Sequence, residues 1–192
     1  MDDFTAYGNN FQEALDNIEK VLIQCQETNL SLSHEKCKML LTEGIVLGHH
    51  VSSQGIKVDP SKIKVIIGPP FPKTQEEVRS FLVHAGYYRR FTENFTRIAA
   101  PMFKLLIKDL EFQWTEYCQN AFEILKAKLS VEPILKHPHW SLPFHISTHA
   151  SDTAIGGVLR QKEGQASYSI YFISKNLIPA ELNYTVTENN FW

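Results

Sequence analysis

From Thr74 to Ser130 the apolar residues recur at the spacing of helix faces, and after the proline-punctuated stretch EPILKHPHWSLP they do not. PFHISTHAS, AIGGVLRQ and SYSIYFISK read instead as three successive strands, close enough in sequence to pair as an antiparallel meander. Segregated helices and strands specify an α+β fold.

The helices carry their own boundaries. TQEEVRSFLVHAGYYRRF opens with a capping box, Thr74 with Glu77, and Val78, Phe81, Leu82 and Ala85 mark one apolar face. A further helix carries Phe95, Ile98, Ala99, Met102, Leu105 and Leu106. FQWTEYCQNAFEILKAKLS has Thr115 as its cap and Cys118, Phe122, Leu125 and Leu129 on one side. Upstream, Phe11, Leu15, Ile18, Leu22 and Cys25 share a face behind Asn9 or Asn10. LSHEKCKMLLTEGIVLGHHVSSQGI suggests short paired strands, and VDPSKIKVII a short helix with Asp59 as cap and Pro60 at its first position. GPPFP then breaks the chain and sets a boundary. YTVTENNFW begins a helix too short to stand alone, so the expectation is that the chain stops inside a larger unit.

Net charge is −2 and the pI about 6.4, so the chain as a whole is no electrostatic trap for nucleic acid. Between Pro60 and Leu110, however, nine Lys or Arg stand against four Asp or Glu. Three cysteines with no CxxC argue against a disulfide framework and against a zinc site. The polar start MDDFTAYGNN is not a signal peptide, and no apolar run reaches membrane-spanning length, so an intracellular, non-membrane protein is expected. The spacings of the eight histidines match no zinc site.

Two stretches carry candidate chemistry. Asp2 and Asp3 are either an exposed acidic terminus or a pair of hard oxygen ligands, the kind that hold magnesium for phosphoryl transfer. YYRRF either reads phosphate through Arg89 and Arg90 with Tyr88 stacking on a sugar or base, or is an amphipathic helix with packed tyrosines and solvated arginines. Gly156 and Gly157 mark tight strand packing and not a phosphate cradle, because no helix start follows them.

In order, MDDF, a helix, LSHEKCKML, IVLGHHVSSQGIKVDPSKIKVI, FLVHAGYYRRF, FQWTEYCQNAFEILKAKLS and ASDTAIGGVL closely resemble the polymerase of Ty3/gypsy-type long-terminal-repeat retroelements, over the whole chain. The resemblance implies a partial reverse-transcriptase palm over residues 1–66, a helical thumb over 67–110, and a connection helix leading into an incomplete RNase H-like β-meander over 111–192. Asp2 and Asp3 would be the adjacent catalytic aspartates of the polymerase box, a metal-binding remnant whose third carboxylate lies upstream in the family. Gly48 and His49 match the hairpin that positions the primer end, and Tyr88, Arg89 and Arg90 the thumb helix, where Val83 and His84 depart from the usual FLGLAGYYRRF.

The family ends its first RNase H strand in TDAS, whose Asp is a metal ligand. This chain has THAS, with His149 in that place. Where the family has TEKEL, this chain has TENNF, so Asn190 replaces a second carboxylate unless Glu188 is the match. Asp152 belongs to the next turn and is no substitute. A two-magnesium centre needs several carboxylates to balance its charge, and a neutral imidazole suits magnesium poorly. The implied parent activities are RNA-directed DNA synthesis, a nucleotidyl transfer, and endonucleolytic cleavage of RNA–DNA hybrids, on an RNA/DNA template–primer with Mg2+. This chain is expected to be inactive by itself and to expose apolar surface. The alternatives are a piece of a functional Pol polyprotein and a host-adopted nucleic-acid-binding module.

Overall fold

The computed structural model describes residues 4–108, 110–131, 133–151, 153–178 and 181. Five α-helices and two three-stranded sheets occur among them. Helix α1 (Phe11–Glu27) begins where the Asn10 side chain accepts the Glu13 amide at 2.9 Å, and the Glu13 carboxylate accepts the Asn9 amide in return. A first sheet follows, β1 (Gly44–Val46), β2 (His49–Ser52) and β3 (Gly55–Val58), antiparallel in sequence order. The expected hairpin is therefore a three-stranded meander. Its first turn, Leu47–Gly48, has both φ angles positive, the geometry of a two-residue hairpin loop.

Helix α2 (Pro60–Ile67) is capped by Asp59, which accepts the Ser61 amide at 2.8 Å. Helix α3 (Gln75–Tyr87) is capped by Thr74 at Glu77, as the sequence implies. The reciprocal bond, however, closes one residue early: the Glu77 carboxylate accepts the amide of Lys73, not of Thr74. A 3-10 turn, Arg89–Phe91, then leads to α4 (Phe95–Lys104), which carries Pro101 inside it and stops short of the expected Leu106. Helix α5 (Glu116–Ser130) starts at its Thr115 cap.

The second sheet is the anticipated meander: β4 (Phe144–Ala150), β5 (Ala154–Glu163) and β6 (Ala166–Asn176), in that order and antiparallel, with a bulge at Leu159/Arg160. The helix start expected in YTVTENNFW lies outside the described residues, as do Asp2, Asp3, Asp152, Glu188 and Asn190.

One apolar core joins these elements. Val58, Ile63 and Ile66 meet Val78, Phe81 and Leu82 of α3, Met102 of α4, and Phe122, Leu125 and Leu129 of α5. Phe81 and Phe122 are ring neighbours at 4.6 Å. The second sheet docks on this core through β6: Phe172 packs against it, and Ser174 accepts both the amide and the hydroxyl of Thr96 on α4 at 3.1 and 2.8 Å. Helix α1 stands apart. It buries only Cys25, while Phe11 on its apolar face is 65% exposed.

Candidate nucleic-acid interface and the His149 cleft

The β1–β2 turn and the end of α3 meet as a ring cluster. His49 lies 5.4 Å from Tyr87, 5.5 Å from Tyr88 and 5.9 Å from Phe91, centroid to centroid. Tyr87 donates its hydroxyl to the Leu47 carbonyl at 2.8 Å and Tyr88 donates to the Gly48 carbonyl at 2.9 Å. The turn has to be glycine at its second position: φ is +69° there, and a Cβ would sit 3.2 Å from the Tyr88 hydroxyl. Sequence thus brings Gly48, His49 and Tyr88 together, but as a structural junction. Tyr88 is 3% exposed, so its ring cannot stack on a base or sugar in this arrangement; the outward tyrosine is Tyr87, at 54%.

Electrostatics follow from that burial. His49 Nδ1 lies 2.8 Å from the Leu47 carbonyl, which it can meet only by donating, and Nε2 is buried with no hydrogen-bond partner. Burial, chiefly, pushes the His49 pKa below its ordinary value; the Leu47 bond opposes this, and the nearby Arg90 charge adds to it. Burial pushes the Tyr88 phenol up to about 12, helped by Tyr87 and Asp59. Of the two arginines, Arg89 is exposed, whereas Arg90 packs its guanidinium 5.4 Å over the Tyr171 ring of β6 and so ties the turn after α3 to the second sheet.

Beside the junction lies a cleft of about 350 Å³ lined by Gly48, Lys62, Ile66, Val83, His84, Tyr87 and Tyr88. It is floored by apolar groups and rimmed by Lys62 and His84, with no carboxylate among those lining residues. The signal missed in the sequence is Lys62. Only the packing of α2 across α3 brings it to the same opening as Tyr87.

A second cleft, of about 170 Å³, holds His149. Paired strands place His149, Gly156 and Ser174 side by side in one row across β4, β5 and β6, on the face turned to α4. Ser174 anchors that row to Thr96. The Asn94 side chain rests over Gly156, where a Cβ would come within 3.1 Å of its Oδ1. Gly157 faces the other side, where a Cβ would come within 3.0 Å of Ile173; the tight-packing reading of the glycine pair holds. Asn94, Arg97, His149, Ser151 and Ser174 supply the polar lining of this cleft.

That donor set does not fit a divalent cation. No described carboxylate lines the cleft, a guanidinium does, and no group of three His, Cys, Asp or Glu among the described residues is placed to hold a metal. Nor, among the described residues, is any helix long and apolar enough to cross a membrane.

Comparison with known proteins fits this geometry. Residues 114–192 match the family model described as the RNase H-like domain found in reverse transcriptase. The Retrovirus-related Pol polyprotein from transposon 297 of Drosophila melanogaster is 39% identical over 190 residues, which cover 98% of this chain and 18% of that protein. The corresponding polyprotein of transposon 412 is 35% identical over 188 residues, covering 98% and 15%. The Transposon Tf2-3 polyprotein of Schizosaccharomyces pombe is 30% identical over 189 residues, covering 98% and 14%. The chain thus spans under a fifth of the length of these relatives.

In fold it resembles the foamy viral protease-reverse transcriptase, solved with double-stranded DNA (TM-score 0.75, 23% identity, 96% of this chain and 32% of that one) and with RNA/DNA hybrid (0.74, 22%, 96% and 25%). Reverse transcriptases with RNase H-like domains generally use divalent metal ions. The chain is a homologue of the Pol polyproteins of Ty3/gypsy-type and Drosophila retrotransposons, and its residues 114–192 carry the RNase H-like domain of a reverse transcriptase.

Proposed function

We propose that this chain grips a nucleic-acid duplex for a reverse transcriptase and does not itself cleave the RNA strand. The observation that carries the reading is the apolar cleft with a cationic rim where the β1–β2 turn meets α3. Lys62, His84 and the neighbouring Arg89 offer donors to phosphate oxygens, and Tyr87 offers an exposed ring to a sugar edge. Gly48, His49 and Tyr88 hold the turn against the helix and act as positioning residues. Residues 1–66, 67–110 and 111–192 take the parts of palm, thumb and RNase H-like unit. The foamy viral protease-reverse transcriptase was solved with double-stranded DNA and with RNA/DNA hybrid, which supports a duplex as ligand. An intracellular setting suits three free cysteines.

The test is fluorescence anisotropy of a labelled RNA–DNA hybrid across a salt series, with Lys62→Gln and Arg89→Gln. Binding weakens steeply with salt, and each substitution lowers the log–log salt slope by about 1. Binding indifferent to salt and to both residues refutes the duplex grip. Magnesium- or manganese-dependent cleavage of the hybrid by the unaltered chain refutes the non-cleaving part.

A second reading is favoured by length. Relatives several times longer match this chain from end to end, as expected for a working portion of a longer Pol polyprotein. Open reading frames flanking the coding sequence and supplying further carboxylates distinguish that reading from a stand-alone binding module.

A further inference from the structure

The second cleft carries an inference of its own. The position that holds a metal-binding Asp in the resembling sequences here carries His149, and the fold sets Arg97 of α4 into the same cleft. Arg97 has no acidic partner among the described residues, and its charge is permanent. His149 is exposed on β4 at the outer end of the row that Ser174 anchors, so its ring nitrogens are open to a ligand. Asn94 takes a left-handed backbone and does not cap its own helix; its carboxamide is turned over Gly156 into the cleft. The amino end of α4 points at this sheet through the Thr96–Ser174 bonds, and its dipole adds positive potential there. Guanidinium and imidazole are nitrogen donors lining one cleft of about 170 Å³, enough for one tetrahedral oxyanion.

We propose that the cleft between β4 and α4 binds a phosphate-class oxyanion through Arg97 and His149, in place of the divalent cation that an aspartate at residue 149 would favour. With His and not Asp at residue 149, the described lining carries a guanidinium and no carboxylate. An RNA–DNA backbone phosphodiester and free inorganic phosphate share this chemistry. The site stands or falls separately from the duplex grip at Lys62 and Tyr87, because inorganic phosphate can be read at His149 alone.

The experiment follows the His149 imidazole and Arg97 guanidinium signals of the full chain by NMR, with His149→Gln assigning the imidazole. Inorganic phosphate, a short RNA–DNA hybrid and traces of manganese are titrated separately. Phosphate, the hybrid or both shift these two signals saturably, and which of them does so names the source. Arg97→Gln weakens the response by about tenfold. Manganese leaves the His149 signal sharp. In His149→Asp the phosphate response is lost. Both side chains are exposed, so neither substitution removes core packing. If neither phosphate nor hybrid shifts the pair, or if manganese broadens His149 in the unaltered chain, the assignment is overturned.

Discussion

Helices α1 and α5 are built from the same local signals and meet opposite fates. Each is amphipathic, each has an Asn or Thr cap that accepts an amide of its first turn, and they are of similar length, 17 and 15 residues. Helix α5 buries Cys118, Ala121, Phe122, Leu125 and Leu129; α1 buries Cys25 alone. A cap and a periodic face make a helix, and a neighbouring surface makes it part of a core. α4 lies along α5 and α2 touches it, whereas no described element covers the stripe of α1 to that extent.

The largest effect expected from this contrast is at Leu125, 0% exposed: Leu125→Ala costs about 2–5 kcal/mol of unfolding free energy in denaturant titration. Leu22, on α1 at 43% exposure, is the matched control, and Leu22→Ala costs less than about 0.5 kcal/mol. Equal costs would mean that the α1 stripe is covered in solution, and the contrast between the helices would collapse.

The junction between them in sequence gives intermediate effects that depend on pH. Burial holds the His49 pKa below its ordinary value in the folded chain, while the unfolded chain takes up its proton near 6.5. The unfolded state then binds more protons, so stability is full above about 6.5 and declines as pH falls below it. His49→Phe keeps the ring packing and flattens that decline in urea midpoints measured between neutral and mildly acidic pH. Tyr88 is raised, so its contribution is whole below 10.0 and is lost as pH rises through about 12. Ultraviolet titration should show one phenol ionising late, and Tyr88→Phe should remove it. Smaller still, Thr74→Ala costs about 1 kcal/mol by loss of the α3 cap, visible as a shift of the thermal midpoint.

Much of the fold was legible because it rests on short-range chemistry. The caps Asp59, Thr74 and Thr115 and the meander after Pro143 were all readable from neighbouring residues, and the first cap was narrowed to Asn9 or Asn10, of which the fold uses Asn10. Reading failed where distant segments decide. The hairpin matched at Gly48 and His49 is part of a three-stranded meander, and α4, expected to reach Leu106, ends at Lys104. The inward turn of Tyr88 depends on the Gly48 carbonyl, forty residues away in sequence. For the site, local motifs named Gly48, His49, Arg89 and His149. Lys62 and Arg97 had no motif, since only tertiary packing puts them at the clefts.

One small contact reaches further than its size suggests. Ile56 of β3 and Leu135, beyond α5, exchange amide–carbonyl bonds of 2.8 and 3.0 Å in a single isolated bridge, and a Cβ on Gly55 would drive into the Leu135 carbonyl. That bridge fastens the end of the helical core back onto the first sheet and turns the intervening chain into a closed ring. The second sheet is therefore tied to the rest of the chain twice, through β6 to α4 and through the chain leading from Leu135, which is clasped to β3.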